Sequence, residues 1–280
     1  MKYVAAVVQL TATHDAERSL DAALGWVRHA AEAGAQLVAL PEALNFMGPE
    51  RDKKRIAEDL DGPTFRRFSE TARDLRIHLL AGSIPERVPD DTRLYNTSTL
   101  WGPNGARLAT YRKIHLFDAD VGDGRSYRES DGTRPGERGV VAETELGRIG
   151  LSVCYDLRFP SMYRSMAKLG ADVVAAPSAF TVPTGTLHWE PLLRARAIEN
   201  QCYVLAPAQE GTHGAKRVTY GHSMIVGPSG EVLACRPRGE GLAWAELDLD
   251  ERARWADRLP TARHEPDAPI PVELRTAPES

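Results

Sequence analysis

The chain has 280 residues, 42% of them hydrophobic and 26% charged, and a formal net charge of −4 at pH 7. This composition is typical of a globular protein that buries a sizeable core. The slight excess of negative charge gives no indication of the basic surface by which proteins bind nucleic acid or anionic membranes. Three cysteines without metal-ligand spacing argue against a disulfide framework and against a structural zinc site.

The N-terminal segment MKYVAAVVQL is apolar, but it is too short to cross a membrane. Gln9 interrupts it, and no small-residue cleavage site follows. We therefore expect a cytoplasmic protein that binds neither a membrane nor nucleic acid.

Strands and helices alternate from the N-terminus onward. The hydrophobic pattern predicts strands over residues 3–10 and 77–86, a short strand in 36–44 that Pro41 stops, and helices over 19–35 and 62–76. A hairpin around Gly-Pro-Asn-Gly is predicted at 94–116, and a second around Gly-Pro-Ser-Gly at 221–237. Between the hairpins we predict strands over 147–154, 170–180 and 202–210 and helices over 160–169 and 188–199. The two hairpins have the same form and occur in similar surroundings of strands and helices. The sequence therefore predicts two related halves.

The alternation of strands and helices indicates an α/β fold in which helices cover the sheets from outside. No Gly/Ser/Pro-rich linker interrupts the middle, so residues 1–263 are predicted to form one domain. Residues 264–280 hold several prolines and little periodicity, which predicts an extended C-terminal tail.

Three polar residues follow strand-like runs: Glu42 in LVALPE, Lys113 in ATYRKIHL and Cys154 in IGLSVC. Since α/β folds place reactive groups at the carboxyl ends of strands, these residues could converge. A carboxylate can take a thiol proton, an ammonium can lower the thiol pKa and stabilise an oxyanion, and a thiolate can attack an acyl carbon. Each residue also has an ordinary explanation: a buried structural thiol, a helix-capping or surface glutamate, and a solvated lysine.

The motifs LPEAL, YRKIHLFD and GLSVCYDLRFP resemble, in the same order, those of the nitrilase superfamily, the carbon–nitrogen hydrolases. The resemblance implies a four-layer αββα sandwich, assembly into a homodimer or higher homo-oligomer, a small-molecule amide substrate, and no metal or organic cofactor. It implies that Glu42 is the general base, Lys113 the oxyanion-stabilising lysine and Cys154 the nucleophile.

The resemblance extends to supporting residues. The backbone N–H of Tyr155 would be a second oxyanion donor, and Glu129 would orient the lysine, unless it is a solvated loop carboxylate. Asp156 and Arg158 are expected to hold the turn after the nucleophile. The two remaining cysteines, Cys202 and Cys235, are expected to be structural.

Residues 188–234 resemble the deaminated glutathione amidase branch of the superfamily, on LLRARAIENQCYV, on the spacing of residues 208–217 and on YGHSM. That branch implies hydrolysis of deaminated glutathione to 2-oxoglutarate and Cys-Gly through a cysteine thioester. An ω-amidase, an N-carbamoyl amino acid hydrolase, another superfamily amidase or a non-catalytic dimeric interaction protein are the alternatives. Residues 185–189 read Gly-Thr-Leu-His-Trp where Gly-Pro-Ala-His-Trp is usual, a departure expected near the pocket.

A substrate that carries carboxylates needs cationic partners, although most such side chains are simply solvated. The candidates are His188, Arg194, Arg196, His213, Lys216 and Arg217.

Overall fold

The structure is a computed structural model that describes residues 1–214 and 217–266. The first half contains, in chain order, β1 (Lys2–Gln9), α1 (Ala16–Glu32), β2 (Leu37–Ala39), α2 (Lys53–Ile56), α3 (Pro63–Leu75), β3 (His78–Arg87), β4 (Leu94–Trp101), β5 (Arg107–Arg112), β6 (Asp118–Asp120) and β7 (Ser126–Arg128). The second half contains β8 (Val140–Thr144), β9 (Gly147–Leu151), α4 (Pro160–Lys168), β10 (Val173–Ala175), α5 (Val182–Asn200), β11 (Tyr203–Ala206), β12 (Glu210–His213), β13 (Arg217–Tyr220), β14 (Ser223–Val226), β15 (Val232–Arg236), β16 (Gly241–Asp248), α6 (Leu249–Arg258) and α7 (Thr261–His264).

Two six-stranded sheets with the same arrangement of strand directions form the centre of the molecule. Their strand orders are β16-β1-β2-β3-β4-β5 and β8-β9-β10-β11-β14-β15. In each sheet three parallel strands are followed by the antiparallel hairpin that carries the Gly-Pro-Asn-Gly or Gly-Pro-Ser-Gly turn. An antiparallel strand closes the other edge of each sheet. The predicted relation between the two halves is therefore present in the strand order.

The sheets face each other, and helices cover their outer faces. Strand β1 shows how the sequence divides its side chains, since Ala5 and Val7 enter the core between the sheets. Ala6 and Val8 point the other way and pack in a second core with α1 and α3. This period-two alternation is what a strand buried on both faces requires. Helices α4 and α5 cover the second sheet, and the result is the expected αββα sandwich.

The parallel strands are shorter than the sequence predicted, for one shared reason. Residues 170–180 and 202–210 were expected to be strand throughout, and the strand in 36–44 was expected to stop at Pro41. The strands themselves cover only Leu37–Ala39, Val173–Ala175 and Tyr203–Ala206. The remainder leaves the sheet at its carboxyl edge, where Glu42 and Gln209 are found. The apolar runs continue past the strand ends because these loops are buried as well.

Helix α5 begins six residues before the predicted start at residue 188. Pro183 lies in the first turn, where a missing N–H costs little, and Pro191 lies inside the helix as it did in the predicted span. Strand β16, helix α6 and the ribbons β6–β7 and β12–β13 were not predicted. The tail beyond residue 266 lies outside the described residues, so its predicted extended form stays a prediction.

Candidate active site

Glu42 reaches the site on a loop that leaves β2 and turns sharply. Ala43 has a left-handed φ of 53°, and Ser83 Oγ accepts a hydrogen bond from its N–H at 3.1 Å. Gly82 lies so close that a Cβ atom there would stand 1.9 Å from the Pro41 carbonyl oxygen. Gln209 Nε2 donates to the Glu42 carbonyl oxygen at 3.0 Å from the other half of the chain. Both halves therefore fix the backbone of Glu42.

Cys154 begins a 3₁₀ turn three residues after β9 ends at Leu151. Its φ of 52° lies in the left-handed region, which is strained for a residue other than glycine. The Cys154 N–H donates to the Pro177 carbonyl oxygen at 2.9 Å, which helps to hold this conformation. The thiol thus sits on an elbow, as the sequence suggested, but beyond the strand and not at its last residue.

Lys113 follows the last residue of β5 and is 2% exposed. Its Nζ donates to Glu42 Oε1 at 3.0 Å and to Glu129 Oε2 at 2.8 Å. Glu129 is fixed in turn, because its Oε2 accepts the Phe117 N–H at 2.7 Å. The structure therefore brings Glu129 to the lysine, and the alternative of a solvated loop carboxylate is wrong.

The charges in this cluster shift one another. Burial alone would raise the pKa of Glu42, but the Lys113 charge and hydrogen bonds from Cys154 and Lys113 hold it below its usual range. Burial opposes the charge on Lys113, yet Glu129 and Glu42 raise the pKa of Lys113 well above its ordinary value. Both groups are therefore ionised at neutral pH.

The Cys154 thiol behaves differently from the expectation. Burial and the Glu42 carboxylate raise its pKa, and the opposing effect of Lys113 is smaller. The resting side chain is therefore a thiol beside the Glu42 carboxylate, not a thiolate. The lysine eases ionisation of the thiol, as predicted, but does not achieve it.

Asp156 connects the Lys113 segment to the Cys154 turn. Its Oδ2 accepts hydrogen bonds from Val153 N–H at 2.8 Å and from Tyr111 Oη at 2.6 Å. Its Oδ1 accepts the His115 N–H at 3.0 Å and lies 2.7 Å from His115 Nδ1. Asp156 is fully buried, and it holds the turn as expected.

A cavity of about 1120 Å³ opens over the cluster, and Glu42, Lys113, Glu129 and Cys154 lie in its wall. Tyr155 also lines it, with its ring 5.1 Å from that of Phe117. Cationic side chains line much of the remaining wall: Lys53, Lys54, Arg55, Arg125, Arg128, Arg158 and Arg217. The cavity can therefore accept a substrate with more than one carboxylate.

Arg158 was expected only to hold the turn after Cys154, but its side chain also reaches the cavity. Its guanidinium lies in the cavity wall, 5.2 Å from the ring centre of Phe180 and 5.8 Å from that of Tyr155. Its Nη1 lies 3.1 Å from His188 Nδ1, so the expected substrate ligand His188 contacts Arg158 from outside the cavity wall. The sequence did contain a signal for this role, because Arg158 is a basic residue within the turn that begins at Cys154.

Two other candidates lie away from the cavity. Arg194 donates to the Gly230 carbonyl oxygen at 2.8 Å on the outer side of α5. Arg196 is buried and donates to the Leu157 carbonyl oxygen at 2.8 Å. Thr186 and Leu187, the departure noted in the sequence, are exposed on α5 and do not line the cavity above Cys154.

His213 lines the cavity but does not supply the expected positive charge. Its Nδ1 lies 2.7 Å from the Ala12 carbonyl oxygen, and its Nε2 lies 2.7 Å from Thr219 Oγ1. Burial lowers the pKa of His213 to about 4, so the ring is neutral near pH 7. Arg217 lines the cavity as expected, and Lys216 lies outside the described residues.

The αββα sandwich, with a buried cysteine, glutamate and lysine together in one site, identifies the chain as an α/β enzyme. A model of the family described as "Carbon-nitrogen hydrolase" matches residues 4–257, and the chain belongs to that family.

The relatives agree with this assignment. The chain is 42% identical over 265 residues to "Deaminated glutathione amidase" of Synechocystis sp. (strain PCC 6803 / GT-S), covering 94% of this chain and 97% of the relative. It is 36% identical over 270 residues to human "Omega-amidase NIT2", covering 96% and 97%.

Solved structures show the same fold. Nit3 of Saccharomyces cerevisiae, a member of the nitrilase superfamily, matches with a TM-score of 0.84 and 32% identity over 92% of this chain and 94% of that chain. A glutamate-to-glutamine variant of the amidase from Nesterenkonia sp. AN1 matches with a TM-score of 0.77 and 29% identity, covering 90% and 92%. That structure shows covalent addition of the acetamide moiety of fluoroacetamide at the active site cysteine.

In the part of the chain that the structure describes, no helix is long and apolar enough to cross a membrane. No group of three or more His, Cys, Asp or Glu side chains among the described residues could hold a metal ion.

Proposed function

We propose that this enzyme hydrolyses deaminated glutathione to 2-oxoglutarate and Cys-Gly through a thioester at Cys154. The observation that carries the proposal is the contact of the Cys154 thiol with Glu42, which Lys113 also contacts, at a large cavity rich in cations. The 42% identity to a relative named deaminated glutathione amidase supports the choice of substrate.

The raised pKa of the thiol determines how the first step proceeds. Because Cys154 rests as a thiol, Glu42 takes its proton while the sulfur attacks the amide carbon. The carbonyl oxygen becomes an oxyanion, which Lys113 Nζ and the Tyr155 N–H stabilise.

The protonated Glu42 then gives its proton to the amide nitrogen, the C–N bond breaks, and Cys-Gly leaves with a free amine. Water enters and attacks the 2-oxoglutaryl thioester while Glu42 takes the water proton. When the C–S bond breaks, that proton returns to sulfur, and 2-oxoglutarate leaves.

Arg158 and Arg217 are assigned to different halves of the substrate. Arg158 lies four residues after Cys154 on the same turn and faces the cavity, so it suits the carboxylate of the 2-oxoglutaryl half. Arg217 begins β13 and is assigned to the glycine carboxylate of the leaving dipeptide. Charge-assisted pairs with carboxylates are the strong hydrogen bonds in such sites.

The enzyme is expected to prefer deaminated glutathione over 2-oxoglutaramate, because only the former carries the glycine carboxylate. Arg217→Gln should lower kcat/KM for deaminated glutathione by about tenfold or more, and for 2-oxoglutaramate by much less. Steady-state assays that follow 2-oxoglutarate measure both. Arg194→Gln, a cation on the outer side of α5, is the matched control and should change neither value. Equal losses on both substrates in Arg217→Gln would refute its assignment to the leaving half.

The second candidate is ω-amidase activity, favoured by the 36% identity to human omega-amidase NIT2. Its test is the same comparison of substrates. A wild-type preference for 2-oxoglutaramate, with release of ammonia, would replace the first proposal by this one.

We also propose that the enzyme forms a homodimer in the cytoplasm. Exposed apolar side chains on and beside the outer face of α5, among them Leu187, Ile198 and Val218, support a buried interface there. All three cysteines are free, which suits a reducing compartment. Light scattering of the purified protein tests the dimer, and a monomeric mass would refute it.

A further inference from the structure

Asn96 lies at the centre of the polar cluster. Its Nδ2 donates to Glu42 Oε1 at 2.9 Å and to Glu129 Oε1 at 3.3 Å. Lys113 Nζ donates to the same two oxygens at 3.0 and 3.1 Å. Two donors and two acceptors therefore close a ring, and the Asn96 carbonyl oxygen also accepts the Lys113 N–H at 2.9 Å.

We propose that Asn96 is a positioning residue that holds Glu42 Oε1, and with it the Lys113 ammonium, so that Glu42 can exchange a proton with Cys154. This inference rests on the proposed hydrolysis at Cys154. With Oε1 held by Asn96 and Lys113, the Glu42 carboxylate has a fixed position beside the Cys154 thiol in the wall of the cavity.

The amide suits this position because it adds donors without adding charge. The ring already holds two carboxylates and one ammonium, so Asn96 stabilises the ionised carboxylates with both N–H bonds of its amide. A second ammonium would weaken Glu42 as a base. A third carboxylate would repel the other two.

The ionisation of Glu42 depends on the groups that face it. These are Lys113 after β5, Cys154 on its turn, Arg217 on β13, and Glu129 across the ring. Asn96 adds a neutral amide donor to these groups. Its loss removes a hydrogen bond to the charged form of Glu42, which raises the pKa of that carboxyl.

Asn96→Leu tests the inference, because it keeps the size of the side chain and removes both donors. We expect kcat to fall about tenfold with little change in KM. The acidic limb of the profile of kcat/KM against pH should move to higher pH. Ser98→Ala is the matched control: this buried side chain lies two residues along β4, and its hydroxyl has no hydrogen-bond partner among the described residues. Its pH profile should equal that of the wild type.

Aspartate has the same shape as asparagine, so Asn96→Asp replaces Asn96→Leu in this test if the leucine variant does not fold. The added carboxyl should move the acidic limb upward further. A variant with reduced kcat but an unchanged acidic limb would overturn the inference, since a merely structural residue would behave in that way.

A second readout separates this inference from the proposed function. The rate at which iodoacetamide alkylates Cys154 also depends on the Glu42 base but requires no particular substrate. If the wild type hydrolyses no amide, the proposed function fails. The inference is still supported if the plot of alkylation rate against pH moves to higher pH in Asn96→Leu. An alkylation profile identical to that of the wild type overturns it.

Discussion

Cys154→Ala is expected to abolish hydrolysis, with a loss of at least about 10⁴-fold in kcat, because it removes the sulfur that forms the thioester. The fold should be retained, since alanine fits the elbow and removes only the sulfur. The measurement is kcat on deaminated glutathione, together with the melting temperature of both proteins.

Cys202→Ala provides the control for this loss. Cys202 is fully buried, and it does not line the cavity. Removing its sulfur should lower stability modestly and leave kcat close to the wild-type value. A folded Cys202→Ala protein without activity, or an active Cys154→Ala protein, would show that the wrong thiol has been chosen.

Lys113→Met should lose activity and stability together. The loss of an oxyanion donor is expected to lower kcat by about 10² to 10³-fold. Glu42 and Glu129 would then face each other in a buried site without their ammonium, and breaking a buried pair in this way costs about 3–5 kcal/mol. Assays of kcat and denaturant unfolding measure the two effects.

The pH dependence of this destabilisation has a definite sign. In the wild type the pKa of Glu42 is lowered, so its contribution to stability is present at neutral pH and is lost in acid. Without Lys113, burial would raise the pKa of Glu42 above that of the unfolded chain, and the penalty would grow as pH rises through about 4.3. Lys113→Met should therefore be destabilised more at neutral pH than in acid. An equal destabilisation at both would contradict the ion pairing.

The alternation of strands and helices predicted an α/β fold, and the resemblance of three motifs to the nitrilase superfamily implied the αββα sandwich and the roles of the three catalytic candidates. Apolar runs with period two predicted the strands, and Glu42, Lys113 and Cys154 follow such runs. The contacts among them needed the structure, since Lys113 and Glu42 are 71 residues apart. The same distance problem hid Asn96, which reads as one polar residue in the strand LYNTSTLW but contacts a carboxylate 54 residues away.

The environment of a charge was the least predictable property. His213 looked like a loop cation, but its partner Ala12 lies 201 residues earlier, and burial between the two halves makes it neutral. Arg158 looked like a turn residue, because the sequence cannot show that its guanidinium faces a cavity. Lys113 was expected to lower the pKa of the Cys154 thiol and does so, yet burial and Glu42 raise that pKa by more.

Capture of the acyl-enzyme shows directly whether hydrolysis proceeds through a thioester at Cys154. The enzyme is mixed with deaminated glutathione, quenched in acid within the first turnover, and digested for mass spectrometry. We predict that the peptide containing Cys154 gains the mass of one 2-oxoglutaryl group, and that hydroxylamine removes it. Rapid turnover with an unmodified Cys154 peptide at every quench time, or a 2-oxoglutaryl group on another residue, would contradict the account.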